Sequence, residues 1–183
     1  WPGCYGNASP MGAHADIAAA QAAMPTGPVT HGKAWVEMVH RYLASGVGFL
    51  LIVLTVASWV GYRRARVART AHGRGLDDGL TAVSPWWPTV TLVWVCIQGA
   101  FGALTVTMKL FPAIVTLHLL GGLVLLFLLC AQAVLRTHAV QQRGPVAVPP
   151  GLRRLLWCVF ALLAVQVALG GWVSTNYAVL VCT

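Results

Sequence analysis

Three residues that can do chemistry stand at the head of one apolar run. In Trp35–Leu50, WVEMVHRYLASGVGFL, they are Glu37, His40 and Arg41. On a helix Glu37 and His40 lie about one turn apart on one face, which Ala44 and Gly48 continue at i+4 and i+8 from the histidine. Small residues there leave room for a flat ligand against the imidazole. A second histidine has the same setting: in PAIVTLHLLGG, Gly122 follows His118 by four residues. The two segments read as two walls of one site.

Other metal chemistry is tested by counting ligands. Glu37-Met-Val-His40 has the Glu-x-x-His form found in di-iron bundles, but such a site needs a second copy and two further glutamates. Glu37 is the sole glutamate of the chain, so a di-iron centre within this chain is excluded. Zinc lacks a plausible ligand set unless other chains contribute.

The elements that position these residues follow from composition. The chain has 183 residues, 58% hydrophobic and 9% charged, with net charge +8 and mean hydropathy +0.74. A soluble domain carries about a quarter charged residues, so this is a polytopic membrane protein of all-α class. The positive charge is read by position along the chain, and nucleic-acid binding is set aside. Four spans are expected, at about 34–61, 86–107, 111–135 and 155–173. Residues 1–33 form an outer segment whose Ala15–Met24 stretch suits a helix lying on the membrane, too short to span it. The unit 34–135 carries the histidine pair, 136–154 is a polar, Pro-rich loop, and 155–183 holds the fourth span and the start of the next outer loop. A further polar loop runs from the arginine cluster YRRARVART to Pro85, and WWP opens the second span as an interfacial anchor. The chain opens WPGCYGNASP without the basic and apolar regions of a secretory signal, and upstream sequence is expected.

Orientation follows from the arginines. Arg63, Arg64, Arg66, Arg69 and Arg74 follow the first span, and Arg136, Arg143, Arg153 and Arg154 follow the third, whereas only Lys33, Arg41 and Lys109 lie toward the other side. The positive-inside rule makes the arginine loops cytoplasmic and puts both chain ends outside. Cys4 and Cys182 then face an oxidising compartment and become disulfide candidates. Cys96, Cys130 and Cys158 fall inside apolar runs and read as small core hydrophobes. His40 and His118 each come about six residues into spans that run the same way, so they share a depth. Two histidines at one level on parallel helices have the geometry of a bis-imidazole haem site.

Three features carry two readings. Glu37 is either an ion-pair partner of Lys33 or Arg41, or an acid at the haem edge that relays protons or stabilises developing positive charge. Arg41, Lys33 and Lys109 are either partners of haem propionates or solvated interfacial charge. A Gln-x-x-x-Gly pattern recurs at Gln98–Gly102 and Gln166–Gly170, reading as an echo of duplication or as close helix packing at glycine.

EMVHR at Glu37–Arg41, the run QGAFGALTV followed by FPAIVTLHLLGG within Gln98–Gly122, and LGGWVSTNYAVLVC at Leu169–Cys182 together resemble the haem A synthase family in order and spacing. The resemblance covers nearly the whole chain and is least in the cytoplasmic loops. It implies an eight-helix protein of the bacterial cytoplasmic membrane, with two pseudo-symmetric halves that each supply a histidine pair. It also implies oxidation of a methyl group of haem O to a formyl group, giving haem A for terminal oxidases. By motif, His40 and His118 match the axial ligands, Glu37 the catalytic glutamate, and Arg41 and Gly122 fall in the haem-binding motifs. Implied partners are haem O as substrate, haem b in the other half, haem O synthase, terminal oxidase assembly factors and membrane lipid, with a homo-oligomer left open. WPGC resembles the end of the first outer-loop motif. The family's first helix, with its Gly-Gly-x-Thr-Arg run, and its last three helices with the second histidine pair have no match here. A piece spanning helices two to five of eight is therefore expected.

A b-type cytochrome that only carries electrons is the other class of function. It needs two ligands and a dry pocket but no adjacent acid, so Glu37 separates the two. In the repeat alignment Cys182-Thr183 stands where the residues just before Trp1 would stand, so Cys4 and Cys182 each find a partner in their own outer loop. Non-reducing peptide mapping of the full-length protein is expected to give no Cys4–Cys182 peptide; finding one overturns the repeat alignment.

Overall fold

A computed structural model describes residues 5–25, 29–72, 84–141 and 147–176. These hold five α-helices and no strand: α1 His14–Ala23, α2 His31–His72, α3 Trp86–Thr107, α4 Pro112–Gln141 and α5 Pro150–Thr175. Four are long and apolar enough to cross a membrane, through His31–Val67, Trp86–Thr107, Pro112–Thr137 and Pro150–Thr175. The protein is an integral membrane protein. Cys4, Cys182, Arg74, Asp77, Asp78 and Arg143 lie outside the described residues. The chain divides into two compact units, Trp1–Leu50 and Leu51–Thr183.

In the first unit, α1 is held by Ala13 and Ile17, both fully buried. The hydroxyl of Tyr42 on α2 donates to the carbonyl of Ala8, tying the segment before α1 to the head of α2. A cap sets the start of α2: the Thr30 hydroxyl accepts the Lys33 amide at 3.3 Å, and its carbonyl accepts the Ala34 amide at 2.9 Å. Threonine is a favoured N-cap, so the helix begins at His31, ahead of the apolar run. At its other end α2 continues through YRRARVART to His72. The expected loop does not start at Tyr62, because arginine and alanine are strong helix formers whatever their solvent.

The second unit buries polar side chains and turns apolar ones outward. Thr55, Thr91, Gln98, Thr116 and Gln132 are buried, while most leucines and valines of the spans are exposed. Lipid is as apolar as leucine, so helices associate through close backbone approach and polar contacts. Trp59 Nε1 donates to Thr89 Oγ1 at 3.0 Å, and Thr55 Oγ1 lies 3.2 Å from the Pro88 carbonyl. Arg136 donates to Ser58 Oγ at 2.7 Å, and Gln132 donates to Thr91. Between α4 and α5, Thr116 and Thr175 share a hydrogen bond at 3.2 Å, and Gly171 admits Leu119. Cys96, Cys130 and Cys158 are free thiols on exposed surfaces, not core residues. Their apolar runs face outward, where a small thiol suits lipid as well as a core.

The turn joining α3 to α4 is a Schellman motif without glycine. Leu110 N–H bonds to Thr105 at 2.8 Å and Lys109 N–H to Val106 at 3.1 Å, with Lys109 at φ 52° and Leu110 at φ 62°. Non-glycine residues adopt this conformation at about 1 kcal/mol each. Capping the last carbonyls of α3 offsets that cost.

The Gln98 side chain of α3 packs directly on Gly121 of α4. A Cβ there would lie 1.7 Å from Nε2 of Gln98, whereas a Cβ at Gly122 meets nothing within 4 Å. Gly121→Ala is therefore expected to destabilise the detergent-solubilised protein by about 1–3 kcal/mol. Gly122→Ala is neutral or stabilising, since alanine is the better helix former. Thermal melting of the two variants side by side checks this, and equal melting temperatures would contradict the packing.

Candidate functional site

The residues singled out by the sequence lie partly in the first unit and partly in the second. On α2, Glu37 and Arg41 form an ion pair through Oε1 and Nη2, with Arg41 mostly covered and Glu37 exposed. The acidic residue precedes the basic one by four positions, the orientation the helix dipole favours. Glu37, His40 and Lys33 line one open groove of about 620 Å³ with Thr30, Gly32 and Val36. The acid, the imidazole and one cation thus share a surface, and Arg41 reaches it through Glu37. Beyond His40, Ala44 is exposed and Gly48 has no atom within 4 Å of where a Cβ would stand. The face along which a flat ligand would lie is open.

His118 is set differently. It is half-buried on α4, and its ring lies over Gly102 of α3, where a Cβ would come within 3.2 Å of Cε1 and 3.6 Å of Nε2. Its Nδ1 is sealed from solvent. Any residue larger than glycine at 102 would push the ring, so Gly102 sets where the imidazole stands. One turn away on α3, Gln98 is 7% exposed, and its carboxamide fills the gap left by Gly121. The Trp94 indole donates to the carbonyl of Gly121 at 2.9 Å and pins the same stretch of α4. Gly122 is exposed and open, so the face beyond His118 is as clear as that beyond His40.

The Gln-x-x-x-Gly pattern therefore does different things in its two occurrences. In α3, Gln98 meets Gly121 and Gly102 meets His118; in α5, Gln166 and Gly170 are exposed and the packed glycine is Gly171. Gln98, Gly102 and Gly121 are the residues that reading motifs along single helices left out of the site. Their signal was the pattern at Gln98–Gly102, whose close-packing reading holds for α3. Lys109, at the α3–α4 turn, is exposed. Among the described residues no group of three or more His, Cys, Asp or Glu side chains gathers to hold a metal ion.

Comparison with known proteins gives a consistent result. Heme A synthase from Shewanella oneidensis is 34% identical over 192 residues, an alignment that takes in 100% of this chain and 49% of that protein. The chain spans about half the length of the curated relative it matches. No solved structure matches it. The model of the cytochrome oxidase assembly protein family, COX15-CtaA, matches residues 1–183, and this chain belongs to that family.

Proposed function

We propose that this chain is the haem O-handling part of a haem A synthase, an oxidoreductase that converts a methyl group of haem O to a formyl group for terminal oxidase assembly. The observation that carries the reading is the shared groove of Glu37 and His40, in a chain that aligns throughout its length with a heme A synthase. Haem O is the substrate. His40 and His118 supply imidazole nitrogens to its iron, and on each helix taken by itself a Cβ at the following glycine, Gly48 or Gly122, would meet nothing within 4 Å. Arg41 and Lys33 offer cations to its propionates, Arg41 with the planar fork that suits a carboxylate.

Conversion of a methyl to a formyl group takes one oxygen atom from water and releases four electrons, to an electron acceptor supplied from outside this chain, and four protons; Glu37 is the base that takes up a proton in that step. Its pairing with Arg41 supports this role only if the pair opens, and an exposed i,i+4 pair is worth about 0.3–0.5 kcal/mol. An electron-carrying b-type cytochrome would have no use for an acid in the ligand groove. We place the protein in the bacterial cytoplasmic membrane with its arginine-rich segments inside and both ends of this chain outside. Haem b in the parent protein's other half, delivery of haem O by its synthase, hand-over to oxidase assembly factors, and disulfides from Cys4 and Cys182 within their own loops belong to the same proposal.

Pigments extracted from cells with and without the full gene test the function: haem A is expected only with it, and haem O accumulates without it. His40→Ala and His118→Ala in the full-length protein are each expected to abolish haem A formation, and full activity in either refutes the ligand assignment. Glu37→Gln is expected to retain bound haem and to slow conversion by about a hundredfold or more, the usual contribution of a proton-transfer group. Haem A formed at the normal rate by that variant would leave Glu37 an interfacial charge.

A further inference from the structure

Gln98 is 93% buried, since 7% remains exposed, and its carboxamide oxygen Oε1 is buried with no hydrogen-bond partner among the described residues. A buried acceptor left unmade costs about 1–3 kcal/mol, so its retention calls for a donor. Gln98 and Gly102 stand one turn apart on one face of α3, and His118 and Gly121 about one turn apart on the facing side of α4. Because the two helices are antiparallel, Gln98 meets Gly121 and Gly102 meets His118. The carboxamide and the imidazole therefore occupy adjoining slots of one interface, bounded at both ends by glycine. The Nδ1 atom of His118 is buried in that same interface.

We propose that Gln98 is a positioning residue for His118: its Oε1, which makes no hydrogen bond in this structure, accepts the Nδ1–H once His118 ligates haem and so leaves Nε2 as the ligating nitrogen. The inference rests on the reading of His118 as a haem ligand. Ligating histidines almost always donate their second ring N–H to a fixed acceptor, which sets the tautomer and raises ligand basicity. An amide oxygen is a neutral acceptor, stronger than none and weaker than a carboxylate. The strip admits this contact because Gly121 makes room for the carboxamide and Gly102 for the ring.

The test uses the full-length protein and redox titration of its bound haem. The haem concerned is identified first as the one lost in His118→Ala; if none is lost, the ligand reading fails before Gln98 is examined. Gln98→Leu keeps the volume and removes the acceptor, and is expected to raise that haem's midpoint potential and weaken its retention about tenfold or more. Gln98→Glu strengthens the acceptor and is expected to lower the potential while haem stays bound. A role in packing alone would shift both variants the same way or neither, and either result overturns the proposal. Opposite shifts sustain it whether or not Gln98→Leu is less stable, because the glutamate variant carries the sign.

Discussion

The second unit depends on how side chains of α3 and α4 seat against glycine on the facing helix, His118 against Gly102 and Gln98 against Gly121. No solvent drives helices together within lipid, so an interface must supply its own attraction through contact area and polar bonds, and both demand short separations. Gly121 lets Gln98 lie against the α4 backbone, and its carbonyl receives Trp94 at 2.9 Å. Gly102 gives the His118 ring a seat that any side chain would fill. The same logic repeats at Gly171, where α5 admits Leu119 of α4. The position of His118 is thus a consequence of packing rather than an addition to it.

Hydropathy alone made the four spans legible, because a lipid solvent demands long apolar runs. It also misled, since in a bilayer the apolar positions face outward. Cys96, Cys130 and Cys158 illustrate the inversion: apolar neighbours suggested a core, and the thiols are exposed. The interior was written instead in Thr55, Thr91, Gln98, Thr116 and Gln132, polar residues whose period is hard to see against Leu and Val. The start of α2 was readable in principle from Thr30, a cap that an apolar-run criterion passes over. Its end was not, because arginine and alanine extend a helix as readily as they make a cytoplasmic loop. The α3–α4 turn gave no glycine to mark its left-handed residues, which fall on Lys109 and Leu110.

Of the site, the residues legible from the sequence were those whose chemistry is rare in a membrane. Glu37, His40 and His118 stood out because ionisable groups are costly at such depths. Gln98, Gly102 and Gly121 did not, because glutamine and glycine in apolar helices are common packing devices and a one-helix reading cannot say which faces which. The contrast between Gly121 and Gly122 makes the point. Only the arrangement of α3 against α4 shows that the first is filled by Gln98 and the second is open.

The pairing of Glu37 with Arg41 admits a physical account that uses both readings of these residues. A surface pair one turn apart is held by a few tenths of a kcal/mol, so it commits neither partner. A guanidinium offered a carboxylate inside a less polar groove gains more, because charge-assisted bonds strengthen as water is excluded. Substrate propionates would therefore draw Arg41 away and leave Glu37 in the groove it shares with His40 and Lys33. On the proposed function, three charges and an imidazole on the head of α2 would then serve both recognition and proton transfer, with no residue required to do both at once.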